Sequence, residues 1–375
     1  MKVVIDCRFL YASGLGRYIR EIVWRIIPTQ PNWSFHLICR NYDDFKVLAR
    51  EACNAAPIIS NTGLYSIWEQ FDLPMKIPVA DIFWSPHYPI PVIGHRAKAQ
   101  IVTILDVNHL VFKDDLSWLQ KIYAKTMMFA STRKSDVIMT ISDFSKDEII
   151  EHTGVAAGKI KTIYIAVDRS NFKKCNDSPQ SINAFKKKYN LPDKYVLFVG
   201  NVKPHKNIIG LIKAFQILNK RLPEVQLIVT GRKEKLINGV KGLSSMLSEL
   251  DLEKVVHFTG FVDEEDLPDL YRLASVFVFP SFYEGFGLPP LEAMSCACPV
   301  VVSNSSCFPE ICGDAAYFVD PYNSENIADG LYTVLTNESI RIQLISKGFQ
   351  RVSDFDWDIT VAQISQLFIK IKGEL

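Results

Sequence analysis

Short runs of β-branched and aliphatic residues recur along this chain, each apolar on both faces and each separated from the next by an amphipathic segment. In the first half the runs fall at residues 3–9, 35–39, 82–85, 101–105, 137–142 and 160–167. In the second half they fall at 196–200, 226–231, 255–259, 276–280 and 300–303. Strands buried on both faces and joined by helices belong to parallel sheets covered on either side. The segment after Lys206 shows the helical half of the pattern, with Ile208, Leu211, Ile212, Phe215, Leu218 and Leu222 on one stripe. A length of 375 residues exceeds what one core usually organises, so two domains are expected. The polar, Lys- and Asn-rich stretch 168–194 reads as a linker carrying a short helix. It divides the chain into two doubly wound α/β halves.

Composition narrows the class. Lys and Arg total 42 against 41 acids, a formal charge of +1, which gives no basic surplus for nucleic acid. Eight cysteines (Cys7, Cys39, Cys53, Cys175, Cys296, Cys298, Cys307 and Cys312) are too sparse for a disulfide scaffold, and none completes a zinc pattern. Buried thiols in a reducing compartment are expected. The opening MKVVIDCRFL lacks the length and cleavage site of a signal peptide, and no run of about 18 apolar residues appears. The expected location is cytoplasmic, with contact to the inner face of a membrane as an extension. Residues 118–134 mix Lys121, Lys125, Arg133 and Lys134 with apolar residues, a pattern that a packed surface helix explains equally well.

The chemistry concentrates in residues 279–294, FPSFYEGFGLPPLEAM. A strand ends at Pro280, Gly285 and Gly287 follow in a loop, and Pro289 and Pro290 open a helix, where a missing N–H costs nothing at the first position. Such a helix start presents N–H groups to an anion such as a diphosphate. Glu292 is expected in the first helical turn, with Glu284 eight positions earlier, a spacing that suits hydrogen bonds to sugar and ribose hydroxyls. Alone, Glu292 reads as a dipole complement and the glycines as a tight turn. The full context of strand, loop, glycines, prolines and paired glutamates favours the ligand site. A second segment, VGNVKPHKN at 199–207, joins a strand to a helix and offers Lys206 as a point charge, with Lys203 and His205 beside it.

The 279–294 segment resembles the Glu-x7-Glu signature of retaining glycosyltransferases of family 4, a family that includes bacterial mannosyltransferases of lipopolysaccharide and exopolysaccharide assembly. The resemblance implies the GT-B fold, two Rossmann-like doubly wound domains facing a central cleft. The acceptor-side domain would span 1–168 plus a closing helix in 355–375, and the nucleotide-sugar domain 169–354. It further implies that Glu292 binds the donor ribose and Glu284 faces the transferred sugar. Gly285, Phe286, Gly287 and Leu288 would hold the diphosphate through their backbone, with Phe261 and Val262 beside the base. Where the family offers an Arg after the strand glycine, this chain has Asn201, so a second positive charge has to come from Lys203 or elsewhere, or is absent.

The glycines of SGLGRY, Gly14 and Gly16, fail as a dinucleotide fingerprint because position 19 is Ile and the second strand ends without an acid. In the resembled family this loop closes over the diphosphate, with Arg17 at hand. The segment IVTILDVNHL carries Leu105 where the family usually has His, so Asp106 and His109 become the candidates for orienting acceptor or sugar. His87 is a weaker one. Trp68-Glu69-Gln70 and Ser142-Asp143-Phe144-Ser145 also resemble family stretches, the first where acceptors are handled.

The expected activity is metal-independent, retaining transfer of a hexose to a glycan or lipid-linked acceptor. No resident cofactor is expected, and GDP-mannose is the preferred donor. A UDP-sugar donor, or a GT-B epimerase or phosphorylase, is the alternative, while an NAD oxidoreductase is disfavoured by the missing third glycine.

Overall fold

A computed structural model describes residues 1–112, 117–173, 178–200, 203–230 and 242–375. The chain divides into two compact units: Met1–Ile165 together with Asp356–Leu375, and Ala166–Phe355.

In the first unit the strands β1 (Lys2–Asp6), β2 (Ser34–Cys39), β3 (Ala55–Ile59), β4 (Ala80–Ser85), β5 (Ala97–Thr103), β6 (Val137–Thr140) and β7 (Ile160–Thr162) form one sheet in the order β3-β2-β1-β4-β5-β6-β7. Every pairing is parallel. Val3, Val4 and Ile5 of β1 and Phe83 and Trp84 of β4 are fully buried, which is why these strands read as continuous apolar runs. β1 stops three residues before the apolar pattern does. Arg8 turns back, its backbone N–H donating to the Asp6 carboxylate at 3.2 Å.

The second unit repeats the winding with β8 (Tyr195–Phe198), β9 (Gln226–Val229), β10 (Val256–Phe258), β11 (Val276–Phe279), β12 (Val300–Ser303) and β13 (Tyr317–Val319), in the order β10-β9-β8-β11-β12-β13 and again parallel. The helix Ile208–Arg221 buries Ile208, Leu211, Ile212, Phe215 and Leu218 as the stripe requires. The short helix expected in the 168–194 stretch is Pro179–Tyr189, capped by Ser178, and it lies inside the second unit.

β3 and β13, which the apolar pattern does not announce, are both edge strands. Pro57 sits inside β3, a residue that only an edge tolerates. β13 has three residues, only one of them buried. The last helix, Trp357–Gly373, belongs to the first unit, where the fully buried Phe368 lies 5.8 Å from the Trp84 ring and 6.4 Å from Trp33. Thr360 Oγ1 ties the same helix to the Tyr164 carbonyl at 2.7 Å.

Strand order reverses between β1 and β4 in one sheet and between β8 and β11 in the other. Outside the carboxyl ends of such strands a doubly wound sheet leaves its crevice. Of the sequence segments singled out above, 199–207 and 279–294 leave β8 and β11, and those carrying Gly14, His87 and Asp106 leave β1, β4 and β5.

Candidate functional site

In the second unit, the loops after β8 and β11 are stitched together before any side chain reaches outward. The chain leaves β8 through Val199 and Gly200; Asn201, a residue of the expected site, lies outside the described residues. Lys203 is exposed, and a 3-10 turn, Pro204–Lys206, leads to Asn207 in the left-handed region at φ 55°. Asn207 is buried and braces three segments. Its amide donates to the carbonyls of Pro280 (3.1 Å) and Pro321 (2.6 Å), and its Oδ1 accepts from the Gly210 N–H at the start of the next helix (3.1 Å). The Phe282 N–H donates to the carbonyl of the buried His205 at 2.7 Å, closing the seam.

Lys206 therefore leaves a fixed point. Its chain passes Gly200, and its ammonium lies 4.7 Å from the centre of the Phe279 ring and pairs with the Glu284 carboxylate. The two side chains are only 13% and 17% exposed. Glu284 is held through its backbone: Ser306 Oγ accepts from its N–H (2.9 Å) and donates to its carbonyl (3.0 Å).

The loop then enters the helix Leu288–Ser295 through Gly287, at φ 87°. A Cβ there would stand 3.0 Å from the Phe308 ring, so both conformation and space demand glycine. The helix starts one residue earlier than expected. Leu288 is its first residue, and Pro289 and Pro290 occupy the second and third positions. Glu292 lies in the second turn, not the first. This removes the dipole explanation for Glu292, whose buried carboxylate instead accepts from Tyr271 OH at 2.9 Å. It also changes which groups can meet an anion, because the prolines carry no N–H. The N–H groups of Gly287 and Leu288 remain, and they donate to no described residue. Phe261 is exposed beyond β10, with Val262 half-buried.

In the first unit, Gly14 and Gly16 lie in the first turn of the helix Ser13–Thr29 and not in a loop. Gly16 is dictated by packing, since a Cβ would overlap the Leu10 carbonyl, whereas Gly14 faces open space. Asp106 accepts from the Asn108 N–H at 3.0 Å. His109 stacks on Tyr88 with ring centres 4.7 Å apart, and its Nε2 is buried without a partner among the described residues. Burial pushes the His109 imidazole down to about 4. His87, bonded through Nε2 to Tyr65 OH at 2.8 Å, is pushed down to about 3 by burial and then by His109. Both rings are neutral near pH 7. Leu105 contributes its backbone, its carbonyl accepting from Ser145 Oγ at 3.0 Å.

Sequence reasoning missed the support beneath this cluster. Arg8 makes a two-pronged pair with Asp6 (2.9 and 2.8 Å) and a longer contact to Glu69 (3.4 Å), whose fully buried carboxylate also accepts from Tyr123 OH (2.9 Å). Burial holds the Glu69 carboxyl above the usual carboxylate range, partly countered by Arg8. An ionisable pair just past an apolar strand, Asp6 and Arg8, was the available signal; Tyr271, Tyr123 and Ser306 had none.

Residues 180–351 match the family described as Glycosyl transferases group 1, and residues 12–171 match Glycosyltransferase Family 4. O-antigen chain mannosyltransferase B of Escherichia coli is 32% identical over 293 residues, 75% of this chain and 72% of that protein. O-antigen chain mannosyltransferase RfbU of Salmonella typhimurium is 29% identical over 85% of this chain and 87% of its own length. Among solved structures, sucrose-phosphate synthase from Thermosynechococcus elongatus superposes with a TM-score of 0.78 over 100% of both chains at 18% identity, a likeness of fold. With its two parallel α/β sheets in the GT-B arrangement, the chain is a glycosyltransferase of the hexosyltransferase type and belongs to glycosyltransferase family 4.

Proposed function

We propose that this enzyme transfers mannose from GDP-mannose, with retention, to a glycan or lipid-linked acceptor in surface polysaccharide synthesis at the inner face of a membrane. The observation that carries the donor side is the Lys206–Glu284 pair at the strand-order reversal of the second sheet, beside the uncommitted N–H groups of Gly287 and Leu288. An ammonium and two amides on neighbouring loops suit a diphosphate, whose charge grows as the sugar departs. Glu284, released from Lys206 when phosphate takes its place, is free to meet the transferred sugar. Glu292, one turn deeper, reaches the ribose, while Gly285 and Phe286 complete the backbone cradle. Lys203 adds a second positive charge, and Phe261 and Val262 border the base. Asp106 and the neutral His109 orient the acceptor. Attack on the same face, assisted by the leaving phosphate, accounts for retention without a protein nucleophile.

The choice of mannose rests on the two O-antigen mannosyltransferases that resemble this chain. Thermal shifts with GDP-mannose, UDP-glucose and ADP-glucose test the donor. A ligand at 100 times its Kd adds about 2.7 kcal/mol of stability, so GDP-mannose raises the melting temperature by several degrees and the others do not. A UDP-glucose shift of equal size would overturn the donor assignment. Unchanged transfer by Glu284→Ala would overturn the site.

A further inference from the structure

Tyr195 and Tyr271 are both fully buried in the second unit, and their hydroxyls are used differently. Tyr195 of β8 donates to the Leu270 carbonyl at 2.8 Å, an ordinary way for a buried phenol to find a partner. Tyr271, in the helix Leu267–Leu273, donates instead to the Glu292 carboxylate at 2.9 Å. Carboxylates are seldom buried, because only strong hydrogen bonds repay their desolvation. Glu292 is 3% exposed, and in the second turn of its helix it gains little from the dipole. An apolar residue of similar size would serve the fold at least as well. A carboxylate kept here, with a phenol aimed at it, points to recognition.

The phenol has little freedom of its own. Phe277 of β11 meets the Tyr271 ring edge-on with centres 5.4 Å apart, and Phe172 meets it at 6.1 Å. Phe172 is buried, and its carbonyl accepts from Ser295 Oγ, at the end of the helix that carries Glu292. The Tyr195 bond to Leu270 fixes the residue just before Tyr271. Phenol and carboxylate are therefore built on one packed frame. A carboxylate has about four lone-pair directions. Once Tyr271 sets one of them, the directions of the rest follow. Such an oriented acceptor suits two adjacent hydroxyls, the cis-diol of a ribose, and gains nothing from a sugar that lacks them.

We infer that Tyr271 is a positioning residue for the nucleotide ribose: by orienting Glu292, it makes the enzyme select a 2′,3′-diol over the dideoxy analogue. The inference rests on the reading that Glu292 meets the donor ribose, and it adds the residue that aims that carboxylate. It holds for either base.

Isothermal titration of the full chain tests it with GDP and 2′,3′-dideoxy-GDP, with the corresponding uridine pair, and with inorganic pyrophosphate. The wild type prefers the ribonucleotide of the base it binds by about a hundredfold, since hydrogen bonds to a charged group contribute about tenfold or more each. Tyr271→Phe keeps the ring and loses only the hydroxyl, and it lowers that preference to about tenfold. Glu292→Met, of similar volume and without an acceptor oxygen, removes the preference. Pyrophosphate carries no ribose and binds the wild type and both variants alike, which separates aiming from a general loosening of the unit.

If Glu292→Met loses the preference while Tyr271→Phe keeps it, the proposal fails and the ribose reading of Glu292 stands. If Tyr271→Phe weakens pyrophosphate as much as the ribonucleotide, the hydroxyl serves only the fold and the proposal fails. A wild type that binds neither ribonucleotide better than its dideoxy analogue, or a Glu292→Met enzyme with the preference intact, removes the ribose reading and the proposal together.

Discussion

Replacing Glu284 by Gln should tighten nucleoside-diphosphate binding while abolishing transfer. In the free enzyme Lys206 is paired with Glu284, and both side chains are largely withdrawn from water. Two unit charges about 4 Å apart attract by about 4 kcal/mol at an effective dielectric constant of 20. Desolvation offsets much of that, leaving a net value between the ~0–1 kcal/mol of exposed pairs and the ~3–5 kcal/mol cost of breaking buried ones. We expect about 1–3 kcal/mol here. A diphosphate that takes Lys206 must displace this partner and then sit beside a carboxylate.

With Gln at position 284 neither penalty remains, so the Kd of GDP falls by about tenfold, equivalent to roughly 1.4 kcal/mol. The free variant is less stable than the wild type by about 1–2 kcal/mol, because the Phe279 ring retains part of the stabilisation of the ammonium. Isothermal titration with GDP reads the first effect and urea melts read the second. Lys206→Met should weaken GDP, and the double variant Lys206→Met/Glu284→Gln should bind it no better than Lys206→Met alone. A folded Glu284→Gln enzyme that binds GDP as weakly as the wild type, or more weakly, would refute the competition on which the reasoning depends.

Gly287→Ala combines an unfavourable φ with a 3.0 Å approach to the fully buried Phe308, and should cost about 2–4 kcal/mol and raise donor KM at least tenfold, read by thermal melts and initial rates. Stability should decline as pH falls below about 6.5. His109 and His87 are neutral in the native state, with values near 4 and 3, while the unfolded chain already takes up protons. The loss for His109 alone is on the order of 3 kcal/mol by the time pH reaches 4. A His109→Gln enzyme should show a flatter pH–stability curve in denaturant melts. Phe368→Ala removes a ring packed between Trp33 and Trp84 and should destabilise the first unit by about 3–5 kcal/mol. A single cooperative melt at the wild-type temperature would contradict that.

The winding of both sheets was legible because interior parallel strands must be apolar on both faces, and Val3–Ile5, Phe83 and Val300–Val302 announce themselves. Edge strands escape that requirement, so β3 with its internal proline and the three-residue β13 did not. At the donor site, Glu284, Gly287, Glu292 and Lys206 were readable because their spacing is local to two loops. Their supports are distant in sequence: Ser306 reaches back to Glu284, Tyr271 to Glu292, and Asn207 to Pro321. In the first unit, no local pattern distinguishes a glutamate turned inward, such as Glu69, from one on a solvated helix face. The glycines of SGLGRY read as a loop, but Gly16 serves a helix start pressed against the Leu10 carbonyl.

The return of the last helix to the first unit means that the second unit, Ala166–Phe355, is one uninterrupted stretch held by the chain at both ends. The first unit is the discontinuous one and needs both termini to complete its fold. Recombination that exchanges a single contiguous cassette can therefore replace the whole second unit while leaving the first untouched. The reciprocal exchange has to move two separated segments, 1–165 and 356–375, from the same source. A chain organised this way lends itself to domain grafting in one direction: the cassette bearing Lys206, Glu284 and Glu292 is the portable part.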